Sequence, residues 1–336
     1  MRILITGSIA YDLLLSYEGS FADALKQKSM DRLSVSFFAP YLERHHGGTG
    51  SNVAWNLRLL GGEPLLVGTV GTDGGSYCAL MEERGIDISH IERRKDSITA
   101  TAIIGTDNGE RQIAFFHPGA DALGSWPTFA AEEASPFAPG ATGDKSAGRP
   151  DLSEDRDDIA WAIVGARNPV LMMEAVRWCS KAGLPLLFDP AQQIIALSTD
   201  ELRSAISLSR GVICNEYEWS VLSERTGMQA KDVLKTAEFL IVTLGDKGVA
   251  LHSKKGIENI PACTADQVVN PTGAGDAFRA GLLFGLEKKW NLTDCCRLGA
   301  AMGSKVVEIE GTLLEDLDVE EVWERARNAY GDVLPK

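Results

Sequence analysis

The stretch Asn270–Leu283, NPTGAGDAFRAGLL, decides how this chain is read. Pro271 with Gly273, Ala274 and Gly275 makes a turn in which backbone N–H groups can converge, and the apolar spacing from Ala277 onward starts a helix. An anion hole at a helix N-terminus follows. Asp276 falls in the first helical turn, where the helix dipole favours its ionised form. A carboxylate there can take a proton from an attacking hydroxyl, or can serve only as an N-cap after a glycine turn.

A second glycine-rich helix entrance lies far upstream at Gly47–Asn52, GGTGSN. Its glycines let backbone approach a ligand, and Asn52 can present both a donor and an acceptor to hydroxyls. The helix it opens is expected over Ser51–Leu60, with Val53, Leu57 and Leu60 on one face and Gly61-Gly62 as the stop. Apolar runs at Arg2–Gly7, Leu65–Val70, Trp161–Val164, Leu186–Asp189, Val212–Asn215 and Phe239–Leu244 read as strands. Several are apolar on both faces, so the fold class is α/β, with a parallel sheet covered by helices on both sides. Asn215–Glu218 (NEYE) and Thr243–Gly248 (TLGDKG) follow two of these strands, at the carboxyl edge where such sheets bind ligands. Asp12, just past the first strand, can accept a hydrogen bond from a hydroxyl, although a strand-end aspartate is usually a solvated turn residue.

Leu33–Phe38, Thr99–Ile104 and Gln112–Phe116 carry β-type residues but break the strand–helix rhythm, as a small separate sheet or lid would. Gly124–Asp158, rich in Ala, Ser, Gly and acidic residues with four prolines, reads as a mobile surface insertion. His45 and His46 read as a solvated pair, and Lys247 as a solvated turn residue. Arg279, one turn into the Asp276 helix, can reach either a phosphate or a surface contact.

The 336 residues are 44% hydrophobic and 24% charged, which excludes disordered and fibrous classes. The net charge of −14 disfavours nucleic-acid and anionic-membrane partners, so any phosphate must be held locally. Six cysteines without a C-x-x-C pair suit a reducing cytoplasm and a core role. MRILITGSIAYD reads as a strand rather than a signal peptide, and no run of apolar residues is long enough to span a membrane.

GGTGSN, NEYE, TLGDKG and NPTGAGD, in that order, resemble the motifs of the ribokinase-like (PfkB) carbohydrate and nucleoside kinases across essentially the whole chain outside 124–158. Gly7-Ser8 with Asp12, Gln112, FFHPGA at 115–120, DPAQQ at 189–193, NEYEW at 215–219 and DAFRAG at 276–281 look most like the bacterial adenosine kinase branch. The resemblance implies a three-layer sandwich with a mostly parallel sheet and a β lid, forming one kinase domain over 1–336 with lid strands within about 12–40 and 97–118. It implies ATP and Mg²⁺, and phosphorylation of a primary ribose hydroxyl, with adenosine to AMP first and a ribose or fructose kinase second.

By the same resemblance Asp276 is the general base, and Gly273, Ala274 and Gly275 hold the transferring phosphoryl group. Asn215 and Glu218 order Mg²⁺, Glu218 through water, and Asn215, Thr243, Gly245 and Gly248 bind ATP. Asp12, Gly48 and Asn52 hold the sugar hydroxyls, while Ser8, Ser36, Phe116, Gln192 and Gln193 lie around a nucleobase or the lid. The lid offers a homodimer contact. Asn270 stands where many members carry Asp in a monovalent-cation site, which argues against strong K⁺ activation. Ala102 stands where adenosine-specific relatives carry an aromatic lid residue. Against a dinucleotide-binding oxidoreductase or a Walker-type NTPase stand the absent G-x-G-x-x-G and G-x-x-x-x-G-K-[ST]. Against a non-catalytic binding protein stand the intact Asp276, GAG and N-x-x-E.

Overall fold

A computed structural model describes residues 1–26, 35–127, 150–331 and 334–335. In chain order the strands are β1 (Arg2–Thr6), β2 (Ala10–Tyr17), β3 (Tyr41–Gly47), β4 (Pro64–Val70), β5 (Ile91–Arg93), β6 (Ala100–Asp107), β7 (Gln112–His117), β8 (Ile159–Val164), β9 (Leu186–Phe188), β10 (Gly211–Asn215), β11 (Phe239–Thr243), β12 (Val249–Ser253) and β13 (Gly256–Ile260). Nine of them form one sheet in the order β13-β12-β11-β10-β9-β8-β1-β4-β5, parallel except where β12 pairs antiparallel with both of its neighbours. The central strands are apolar on both faces because both are covered: β4 is buried along its whole length. Two apolar clusters fill the layers on either side of the sheet, and a third lies under the helices near the C-terminus.

The remaining strands form a four-stranded sheet, β3-β2-β6-β7. The chain passes from β1 into this lid through only Gly7, Ser8 and Ile9, so the lid starts at the carboxyl edge of the large sheet. Two expectations change here. Val35–Phe38 has no strand, and Leu33 and Ser34 lie outside the described residues. The lid strand is instead Tyr41–Gly47, whose charged residues concealed it. His46 is not solvated: its ring packs 4.4 Å from Tyr77 and 5.5 Å from Tyr11.

Of the segment expected as a mobile insertion, 128–149 lie outside the described residues, while both described ends are anchored. Trp126 packs on Trp178 with ring centroids 5.9 Å apart, and Leu152 is fully buried. Asp155 binds Arg2 and the buried His90. All six cysteines are buried and unpaired. Among the described residues no helix is long and apolar enough to cross a membrane.

Candidate active site

The helix Ala274–Glu287 begins at Gly273, whose φ of 87° is left-handed; a Cβ there would be strained and would lie 3.0 Å from that of Thr312, so glycine is favoured. No side chain caps this helix. The N–H groups of Gly275 and Asp276 have no partner among the described residues, and that of Ala274 reaches Pro271 O only at 3.4 Å. The helix start therefore combines the positive end of a helix dipole with two N–H groups that have no acceptor among the described residues.

Asp276 stands beside it. Asn52, 4% exposed, donates from Nδ2 to Asp276 Oδ2 at 2.8 Å. Burial pushes the Asp276 carboxyl up to about 6, against Arg279 and the Asn52 hydrogen bond, which pull it down; Asp189 and Asp12 add to the rise. A carboxyl in that range is ionised at neutral pH yet basic enough to accept a proton. Sequence spacing never suggested the residue that orients Asn52. Thr312, itself 4% exposed, lies with Oγ1 3.1 Å from Asn52 Oδ1 and 3.1 Å from the carbonyl of His46 on β3.

The helix carrying Asn52, Thr49–Leu59, enters at Gly48 with φ 97°. A Cβ at Gly48 would meet Ser8 O at 2.5 Å, so this glycine serves a backbone crossing. Ser8 is only 7% exposed, and its Oγ accepts from Thr49 N at 3.1 Å, so it fastens the helix entrance. Asp12 is not a turn residue. It lies inside β2, opposite His45 on β3 and Ala102 on β6, and Ala102 pairs in turn with Phe116 on β7. These four share one lid face, the one that turns Asp12 against Gly47. Burial raises the Asp12 carboxyl while His45 lowers it. Ser36 lies exposed on the irregular stretch before β3.

Along the carboxyl edge of the large sheet, Asn215 and Thr243 are register partners at the ends of β10 and β11. Asn215 and Glu218 form a reciprocal capping box on the helix Glu216–Thr226, each side chain accepting from the other's backbone N–H at 2.8 Å. The capping box uses Oε2 of Glu218, and Oε1 has no hydrogen-bond partner among the described residues. Burial raises the Glu218 carboxyl, and the Asp189 charge raises it further, a strain that a cation would relieve. Among the described residues no group of three His, Cys, Asp or Glu side chains could hold a metal ion. Mg²⁺ would suit this site because it keeps waters and phosphate oxygens as ligands and needs few carboxylates.

Gly245 and Gly248, with φ 62° and 94°, shape the turn after β11. A Cβ at Gly248 would fall 2.1 Å from Ile260 O. Gln192 and Gln193 follow β9 in a tight turn that holds Ala191 in the left-handed region at φ 42°. Lys247 is exposed, 4.0 Å from Glu216.

The chain as a whole is similar to known proteins. The chain is 28% identical over 280 residues to a nucleoside kinase of Methanocaldococcus jannaschii, covering 83% of this chain and 84% of that one. It is 29% identical to a fructokinase of Escherichia coli, covering 74% and 79% respectively. Among solved structures, Burkholderia thailandensis nucleoside kinase in complex with inosine superposes with a TM-score of 0.83 at 29% identity, over 100% of both chains. Residues 6–318 match the family model described as pfkB family carbohydrate kinase, and the chain belongs to that family.

Proposed function

We propose that this kinase transfers the γ-phosphoryl group of ATP, with Mg²⁺, to the primary hydroxyl of a ribose-containing substrate, and that the substrate is a purine nucleoside, with adenosine giving AMP as the first candidate. The observation that carries the reading is the Asn52–Asp276 hydrogen bond beside an uncapped helix N-terminus. A base and an anion hole in one helical turn suit in-line phosphoryl transfer, which needs positioning and charge stabilisation more than covalent chemistry.

In this reading Asp276 takes the hydroxyl proton, and the N–H groups of the Gly273–Asp276 turn hold the phosphoryl oxygens. Asp12, Asn52 and the backbone at Gly48 hold ribose hydroxyls. Asn215, Thr243, Gly245 and Gly248 receive ATP, with Glu218 ordering Mg²⁺ through water. Phe116, half-exposed across from Ala102, offers a stacking face to a base from one side, and Gln192 and Gln193 offer amides to a purine edge. The inosine complex of the B. thailandensis relative makes a hypoxanthine nucleoside the nearest rival to adenosine, and the fructokinase likeness keeps a free sugar as the other. The exposed Leu42, Ile103 and Phe115 on the outer lid face would be covered in a homodimer, which sedimentation tests.

A coupled assay of ADP release over a panel of nucleosides and free sugars tests the substrate. Adenosine should exceed ribose and fructose in kcat/KM by at least about tenfold, roughly 1.4 kcal/mol of discrimination, with inosine and guanosine the closer competitors. A preference for a free sugar overturns the nucleoside assignment and leaves the kinase. Nucleoside binding with no ADP release overturns the kinase.

A further inference from the structure

Arg279 lies one turn along the helix from Asp276 and is buried, at 7% exposure, with its partner Asp189 at 2%. Nε and Nη2 grip the two oxygens of Asp189, Nη2 at 2.8 Å from Oδ1. Its third edge does something else: Nη1 donates to the carbonyl of Gly275 at 2.9 Å. That carbonyl belongs to the same planar peptide as the N–H of Asp276, one of the unpartnered donors at the helix start. A cation bonded to the carbonyl end draws electron density across the amide and makes its N–H a stronger donor.

We infer that the Asp189–Arg279 pair is a positioning device for the anion hole: Arg279, locked to the end of β9 by Asp189, polarises the Gly275–Asp276 peptide from beneath, and so strengthens its N–H toward the transferring phosphoryl oxygens without touching them. The inference rests on the kinase reading above. Asp189 contributes two properties. Its bidentate grip fixes the guanidinium plane, and its charge largely cancels that of Arg279, so the arginine does not compete for phosphate. Gly275 takes part through its size, since a Cβ there would stand 3.0 Å from Nη1. The arrangement also sets the field at Asp276. Charged and titratable groups bear on that carboxyl from every side: Arg279 on its own helix, Asp189 after β9, Asp12 on β2, and Tyr77 on the helix Gly75–Glu83, with the Asn52 amide in direct contact. Arg279 lowers the carboxyl and Asp189 raises it, so the two halves of the pair act on it with opposite sign.

The test is the ¹³C titration of the Asp276 carboxyl in the substrate-free protein, run beside kcat as a function of pH. Arg279→Gln should move the titration and the acidic limb of kcat to higher pH, and Asp189→Asn should move both to lower pH. The double variant, which leaves no unpaired buried charge and so keeps the fold, should titrate between the two. Its kcat on the alkaline plateau should fall about tenfold, a part of the roughly hundred- to thousandfold that one oxyanion donor supplies. Titrations that stay in place, or that move together, overturn the inference, as does a double variant with the wild-type plateau. If the wild type proves inert toward every nucleoside and sugar, the kinase reading fails by itself, and the substrate-free titrations still decide whether the pair sets the state of Asp276.

Discussion

Thr312 and Asn52 meet through their side chains, hydroxyl to amide oxygen, at 3.1 Å, although 260 residues separate them in sequence. The contact decides which way the Asn52 amide points. The hydroxyl shares its one proton between Asn52 Oδ1 and the His46 carbonyl, and with Oδ1 turned to that donor Nδ2 serves the Asp276 carboxylate, the orientation in which an ionised base is stabilised. Removing the hydroxyl leaves a buried amide oxygen unsatisfied, which costs about 1–3 kcal/mol, and frees the amide to turn. Thr312→Val should therefore unfold at a lower temperature and turn over more slowly than wild type, whereas Thr312→Ser, which keeps the donor, should retain most of the turnover. Equal kinetics for the Val and Ser variants would show that the hydroxyl does not orient Asn52.

Asp276→Asn should lower kcat by about two to four orders of magnitude, the range that a general base supplies. Stability should move the other way. Burial holds the native carboxyl at about 6, above its ordinary value of 3.8, so the protonated form is the one the fold prefers. The stability this group contributes is present at low pH and is lost as pH rises through about 6; above that, a neutral Asn removes the penalty. Thermal unfolding at pH 8 should thus show the variant at least as stable as wild type. In wild type, kcat/KM should fall as pH drops through the same region, because only the ionised base accepts the hydroxyl proton.

The observed capping role of Glu218 and its proposed role in ordering Mg²⁺ are separated by one substitution. Its capping box with Asn215 is equally served by glutamine, so Glu218→Gln should leave the helix Glu216–Thr226 and the melting temperature intact. Its free oxygen loses its charge, so the Mg²⁺ concentration needed for half-maximal rate should rise severalfold. An unchanged Mg²⁺ titration would remove Glu218 from metal ordering.

The large sheet and both glycine turns were legible in the sequence because their signals are local: strands apolar on both faces, and small residues before a helix. The lid was only half legible. Its strand β3 reads YLERHHG because it lies at the sheet edge with little burial on either face, so no apolar alternation marks it. Asp12 resembled a turn residue because β2 begins after only three residues, too soon for a break to be told from a bend. The contact of Ser8 with the helix entrance was not legible, since a serine beside a glycine turn has the same sequence signature whether or not its hydroxyl meets a helix N-terminus. Thr312 carries no motif, and although Asp189 and Arg279 lie within DPAQQ and DAFRAG, nothing in those stretches says that the two side chains pair. They act through contacts that only the closed fold assembles.

Asn270 secures the start of the GAG turn by itself. Its Nδ2 donates to Glu310 O at 2.6 Å, and its Oδ1 accepts from Thr272 N at 2.9 Å. An amide thus fills the place where a carboxylate would need a cation between itself and that carbonyl. Wild-type activity should change little with millimolar K⁺, and Asn270→Asp should become K⁺-dependent. Strong activation of the wild type by K⁺ would contradict this role.

Phe116 tests base recognition apart from sugar recognition. It is 53% exposed on β7 and stands across from Ala102, so a base resting on it gains stacking from one ring and only a methyl from the neighbouring strand. Stacking of this kind is worth about 0.5–1.5 kcal/mol. Phe116→Ala should therefore raise the KM for adenosine by roughly threefold to tenfold, with kcat nearly unchanged, because the ring touches no reacting atom and contributes equally to ground and transition states. The KM for a free pentose should not move, since nothing in ribose reaches the ring. If ribose and adenosine lose affinity together, Phe116 supports the lid and does not read the base; if neither changes, the base lies elsewhere on the lid face, nearer His45.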